Sequence, residues 1–232
     1  RPTVLFCSDA ADEPWWYLLK EYEEAGSFTV QVALDGNRNW PYHDKHLTLL
    51  TPLDPSRFPP PKPHKEREII FGFAGNPGGI AQLASKQVVG RKLMLTPMLK
   101  YGLIVRPRDQ IQGELGEAVK SYQECVQFMS NVRIMPNFSY TGSCETLHVK
   151  GRVVECGYAG VCLLEMKGSP AKDWFTPGED YLEWDTPQEV GDIVQRLTDH
   201  PLESEKIGLR LRDKVLKEHT PDKFWKKILD RL

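Results

Sequence analysis

Between Lys150 and Glu165 the chain reads Lys-Gly-Arg-Val-Val-Glu-Cys-Gly-Tyr-Ala-Gly-Val-Cys-Leu-Leu-Glu. Two cations, Lys150 and Arg152, flank Gly151 at the start of an expected short helix, and a carboxylate, Glu155, follows one turn in. Unpaired amide N–H groups and the helix dipole make a helix start attractive to anions. The cations add full charges there, and a guanidinium can grip two phosphate oxygens at once. Glu155 is placed to accept bonds from a pair of hydroxyls. A ligand with phosphate at one end and hydroxyls at the other, such as a nucleotide-sugar, suits this set. A solvent-facing basic cap with an ordinary helix glutamate is the plainer reading of the same residues.

Other residues with chemical capacity sit where strands are expected to end. Gly75-Asn76-Pro77-Gly78-Gly79 follows a strand at 68–74, and glycines there let backbone approach a ligand closely. Gly72, Gly75 and Gly78 form a Gly-x-x-Gly-x-x-Gly series, but the Gly-x-Gly-x-x-Gly dinucleotide fingerprint is absent. Arg106 and Arg108 follow a strand at 102–105, suited to a base or a phosphate. Asn137, Ser139, Tyr140 and Thr141 follow a strand within 131–138 and offer neutral groups to sugar hydroxyls or phosphate.

The elements that must carry these residues alternate. A strand at 4–7, a helix at 13–25 and a strand at 28–34 lead to the turn signal Asp35-Gly36-Asn37 and a short strand at 47–50. Six prolines at 52, 55, 59, 60, 61 and 63 make the segment from 52 to 65 an extended linker. Beyond it, helices fall within 81–100, 114–130 and 151–159, with strands at 161–164 and 181–184. Residues 187–231 are helical in two or three pieces. Strands alternating with helices predict a parallel sheet covered on both faces, with ligands beyond the strands' carboxyl ends.

Composition narrows the class. The 232 residues are 40% hydrophobic and 27% charged, as in ordinary globular proteins, and a net charge of −2 gives no footprint for nucleic acid or anionic membrane. No apolar run approaches a bilayer span, and no signal peptide is visible. Cys7, Cys125, Cys144, Cys156 and Cys162 contain no Cys-x-x-Cys pair, which disfavours a disulfide framework and points to a reducing compartment, the cytoplasm. The chain opens on Arg1 directly before a strand, as a piece of a longer protein with further domains would.

The order of these segments resembles the C-terminal half of GT-B glycosyltransferases, and within them the group that includes the spore-maturation protein CgeB. The likeness rests on Ile70 to Asn76, Ile134 to Ser139, the Glu155-to-Gly160 helix and its strand, Phe175-Thr176-Pro177-Gly178, and Arg210, Arg212 and His219 before a terminal amphipathic helix. It covers about 66–232 well and 1–65 weakly. It implies an α/β, Rossmann-type nucleotide-sugar-binding domain over 66–232. Residues 1–65 would be a short acceptor-side lobe and linker, either truncated or reduced.

The resemblance further implies Glu155 as the ribose ligand, with Gly75, Asn76, Gly78, Gly79, Arg106, Asn137, Ser139, Thr141, Lys150, Gly151 and Arg152 around the donor. The second glutamate that many such enzymes carry eight residues earlier is replaced by Leu147, with Glu145 two before it. An inverting enzyme needs a base from the first lobe, where Asp9 is favoured over Asp12 and Asp35, with His43 and His46 behind them. No Asp-x-Asp motif is present, so no metal and no cofactor is expected, and the diphosphate charge falls to Lys150, Arg152, helix amides and Arg91 or Lys92. The last helix is expected to cross back to the first lobe through Phe224, Trp225, Ile228 and Leu229. The donor would be UDP-, GDP- or dTDP-linked and the acceptor a glycan or glycoconjugate hydroxyl. A nucleotide-sugar epimerase and a non-catalytic nucleotide-sugar-binding domain are the alternatives.

Overall fold

The computed structural model describes residues 1–8, 15–34, 36, 46–75, 86–106, 121–141 and 146–232. A small parallel sheet comes first, with β1 (Val4–Cys7), β2 (Val30–Ala33) and β3 (His46–Thr48) in spatial order β1-β2-β3 and α1 (Trp15–Glu24) between the first two. The larger sheet holds β4 (Ile69–Ala74), β5 (Ile104–Arg106), β6 (Val132–Pro136), β7 (Cys162–Met166) and β8 (Leu182–Trp184). Its order is β5-β4-β6-β7-β8, and every pair is parallel.

Helices cover both faces of the larger sheet. On one side, residues of α3 (Tyr122–Ser130), α4 (Gly151–Ala159) and α6 (Pro201–Glu218) pack against Ala74, Met135 and Leu163. On the other, α2 (Lys86–Met98) and α5 (Pro187–Asp199) meet Phe71, Phe73, Ile134 and Leu164. The period-2 alternation of strand side chains splits β7 accordingly, with Leu163 toward α4 and Cys162 and Leu164 toward α5. This is why β7 reads as a nearly continuous apolar run.

The expected helix at 151–159 forms over that range, because Gly160 ends it in the left-handed region at φ 62°. Its neighbour is fixed by close approach. A Cβ on Gly208 of α6 would lie 2.6 Å from the Gly160 carbonyl oxygen, which is backbone and cannot swing away. Gly208→Ala should therefore push α6 off the α4 turn and cost about 1–3 kcal/mol in urea unfolding, despite alanine's better helix propensity. An unchanged or raised stability would contradict this packing.

The proline-rich segment differs from a loose linker. It contains two short 3-10 turns, Pro55–Arg57 and His64–Glu66, the first capped by Asp54 accepting from the Ser56 amide at 2.9 Å. Proline suits the first position of such a turn, where its missing N–H is not needed. The segment is then clamped. Nδ1 of His64 meets Ser204 Oγ at 2.8 Å, and its Nε2 donates to the Gly160 carbonyl at 2.9 Å. Arg67, 1% exposed, donates to the carbonyls of Lys62, Val132 and Ala159 at 3.0, 2.7 and 2.9 Å.

The last helix, α7 (Pro221–Leu229), crosses back to the small sheet. Phe224 and Ile228 are buried with Val30, Val32 and Leu49, and Phe6 stacks on Phe224 and meets the edge of Trp225. Leu229 stays exposed, unlike the expectation for it, because it lies on the outer face of this amphipathic helix.

Candidate functional site

The chain leaves β4 to form β5 on one side and then returns to place β6 on the other. Such a reversal opens a crevice at the carboxyl ends of the strands, the usual place for a ligand in an open parallel sheet. Gly75 follows β4, Arg106 ends β5, and Asn137 follows β6, so three residues singled out from sequence stand at this crevice.

Gly75 has φ 147°, and its N–H donates to the Arg106 carbonyl at 3.0 Å. That φ is one L side chains rarely adopt, and a Cβ there would also lie 3.2 Å from Phe73 Cζ and 3.4 Å from Arg152 Nη2, so glycine is favoured at this turn. Arg152 reaches this turn from the first turn of α4. Its Nη2 donates to the Ala74 carbonyl, and its Nη1 lies 3.3 Å from the Glu155 carboxylate and 3.1 Å from Met129 Sδ.

Here the geometry departs from the sequence expectation. The Arg152 side chain is only 10% exposed and is turned inward beneath the end of β4, where it fixes the glycine turn instead of meeting solvent as a phosphate grip. Burial is the largest single influence and opposes its charge, but the Glu155 carboxylate, together with Cys125 and Cys156, outweighs it, so its pKa is held above the usual guanidinium value. Glu155, with its side chain 7% exposed, is thereby locked in place one turn inside the helix.

Lys150 is the N-cap residue of α4, partly exposed and with extended backbone, and its carbonyl accepts the Val153 amide at 3.0 Å. Gly151 stands against the segment leaving the small sheet, since a Cβ on it would be 3.7 Å from Thr51 Oγ1. Gly36 packs on Val149, and its carbonyl accepts the Trp174 indole N–H at 2.6 Å. The mouth of α4 thus lies where the two sheets meet.

Asn137, Ser139 and Thr141 are buried and engaged within the protein. Asn137 Nδ2 donates to Glu165 Oε2 at 2.7 Å, the Ser139 hydroxyl donates to Glu165 Oε1, and the Met166 amide donates to the same oxygen at 3.1 Å. The Thr141 amide donates to the Thr146 carbonyl at 3.0 Å, and Tyr140 bridges Leu147 in antiparallel fashion. The His148 amide donates to the Ser139 carbonyl at 2.8 Å, which brings the chain back to Lys150. These side chains therefore build the approach to α4 from within, and do not line it as the sequence reading expected.

Two residues of this region were not among the sequence candidates. Glu165 is fully buried, and burial pushes its pKa up against the bonds from Ser139, Asn137, Ser169 and Met166. Its sequence signal is a carboxylate inside a doubly covered apolar strand, on the Leu163 face that meets α4. His148 is 4% exposed and its pKa is pulled down to about 3, first by burial and then by Lys150 and Arg91, so its ring is neutral. A single histidine in a polar stretch carries no such signal.

Asp9, Asp12, Asp35, Asn76, Gly78, Gly79, Arg108, His43 and Glu145 lie outside the described residues. Among the described residues no three His, Cys, Asp or Glu side chains gather to hold a metal ion, and no helix is long and apolar enough to cross a membrane.

A family model described as glycosyl transferase-like matches residues 92–230. No curated protein matches the sequence. Among solved structures, HepE of Anabaena in complex with UDP and glucose is similar at TM-score 0.68 and 10% identity, over 99% of this chain and 71% of HepE. TarM is similar at 0.66 and 8% over 99% of this chain and 50% of TarM. Sucrose-phosphate synthase from Thermosynechococcus elongatus gives 0.66 and 10% over 97% of this chain and 63% of the synthase. The chain thus spans half the length of TarM and about two thirds of the other two, and it shares their GT-B architecture.

Proposed function

The chain belongs to the glycosyl transferase-like family, and on that premise we propose that it holds the nucleotide-sugar of a glycosyltransferase. The donated sugar passes to a hydroxyl of a glycan or other acceptor. The observation that carries this reading is the convergence of the α4 mouth, the Gly75 turn and Glu155 at the crevice beside β4. Lys150 and the first amides of α4 meet the diphosphate, where the helix dipole adds to the lysine charge. Arg152 holds Glu155 in position, and the carboxylate accepts the ribose hydroxyls. Arg106 is suited to the base or the phosphates.

A UDP-linked donor agrees with HepE, which has been solved in complex with UDP-glucose. The absence of an Asp-x-Asp motif supports a leaving diphosphate stabilised by protein cations and amides, so EDTA should leave nucleotide affinity unchanged. Asp9, after β1, is our first candidate for the base, ahead of Asp12 and Asp35.

Thermal shift against a panel of nucleotide-sugars tests the donor site. A donor at a hundred times its Kd should raise the melting temperature by about 5–10 °C. Lys150→Ala and Glu155→Gln should each lose most of that rise. If no nucleotide-sugar moves the wild type, or if both variants respond as the wild type does, the site assignment is wrong. Nucleotide binding with neither transfer to any acceptor nor donor hydrolysis would favour a binding module.

A further inference from the structure

Glu165 ends the apolar run of β7 with no exposed surface, and its carboxyl oxygens are met by hydrogen-bond donors. Asn137 Nδ2, the Ser139 hydroxyl, the Met166 amide and Ser169 converge on its two oxygens. Burying a carboxylate in this way is costly unless every lone pair is used, so its partners are held in one arrangement. Those partners are not scattered. Asn137 and Ser139 are the residues that leave β6 at the crevice, and Asn137 Nδ2 also reaches Ser139 Oγ at 3.3 Å.

The order continues outward from Ser139. Its amide donates to Met166 Sδ at 3.3 Å, and its carbonyl accepts the His148 amide at 2.8 Å. His148 is two residues before Lys150, the N-cap of α4. An unbroken set of bonds thus runs from a carboxylate at the end of β7 to the helix mouth assigned to the diphosphate.

We propose that Glu165 is a positioning residue for the donor site: it anchors Asn137 and Ser139 and through them sets the backbone of 137–141 and 146–150 that presents Lys150 and the α4 amides. The part concerning the donor rests on the function proposed above. Glu165 touches no ligand in this account. It acts by removing the alternatives open to the segment that does, as a supporting shell does for any precise site.

The test compares the wild type with Glu165→Gln, Ser139→Ala and the double variant, by amide hydrogen exchange without ligand and by calorimetric titration with UDP, GDP and dTDP. Glutamine keeps the shape but brings an amide donor toward groups that are themselves donors. Exchange over 137–141 and 146–149 should quicken about tenfold in Glu165→Gln, while 132–136 and 162–164 keep their rates. The Kd of the nucleotide that the wild type binds should rise about tenfold, with the double variant no weaker than Glu165→Gln alone, because both changes release one segment.

A residue that served stability alone would quicken exchange in the strands together with the segment and leave the Kd of the folded protein unmoved. Either result, or unchanged exchange at 137–141 and 146–149, overturns the proposal. If Glu165→Gln does not fold, Ser139→Ala decides, since loss of its hydroxyl should loosen the same segment. If the wild type binds none of the three nucleotides, the donor reading fails, and the exchange comparison still decides whether Glu165 holds the segment.

Discussion

Arg152→Ala is expected to lower the unfolding free energy by about 3–5 kcal/mol, among the most damaging single changes in this chain. The substitution removes the cation 3.3 Å from a Glu155 carboxylate whose side chain is 7% exposed, and it removes the donor to the Ala74 carbonyl. The Glu155 carboxylate then stays buried without its neighbouring cation, and that lost compensation accounts for most of the loss. Arg152→Lys should rescue little, because one ammonium lacks the planar fork that serves both Ala74 and Glu155. Removing both charges tests the cause. Arg152→Met/Glu155→Gln should be more stable than Arg152→Met alone in urea titrations, since the buried charge that lost its cation is gone. If Arg152→Ala unfolds within about 1 kcal/mol of the wild type, the pair is not the anchor described.

Acidification is expected to weaken the fold through His64. Its pKa falls from 6.5 to about 4, chiefly through burial, with Arg67 and Arg133 adding to it and the Gly160 carbonyl and Glu205 opposing. The unfolded chain therefore binds more protons than the native one between these values. The stability due to the neutral ring is fully present above pH 6.5, declines as pH falls, and is gone near pH 4. The integrated loss is about 3 kcal/mol. His148, with its pKa near 3, adds a decline in the same direction, whereas the raised pKa of Glu165 favours the native state in acid. Comparing slopes isolates the His64 share. Unfolding free energy measured from pH 7 to pH 4.5 should fall less steeply in His64→Gln than in the wild type, and equal slopes would refute the assignment.

These two sites differ in how far the sequence announced them. The α4 unit was legible because its determinants are local: Lys150 and Gly151 at the start, Gly160 in the left-handed region at the end, and an apolar strand immediately after. Alternation of strands and helices likewise pointed to a parallel sheet, since a 2-residue or a 3.6-residue period reports burial without knowledge of partners. The return of α7 to the small sheet was implied by the family resemblance, and the amphipathic face told only that Phe224 and Ile228 would need cover.

The proline segment was legible only in the negative. Its prolines exclude a regular helix but say nothing about docking, and the bonds of His64 and Arg67 reach partners as distant as Ser204 and Ala159.

The direction of each polar side chain was not written in the local pattern. Lys150 and Arg152 are alike as cations two residues apart, yet one caps the helix mouth and the other turns under β4 to meet Ala74 and Glu155. Asn137 and Ser139 look like ligand-facing residues after a strand, yet Glu165 on the neighbouring strand claims them from below. Residue types and spacing were enough to identify the helix mouth, the glycine turn and the layered fold, because backbone geometry and burial follow from short-range sequence. Which charges face a ligand and which hold the frame depends on contacts between strands and helices that lie tens of residues apart, where desolvation makes every buried charge find its partner.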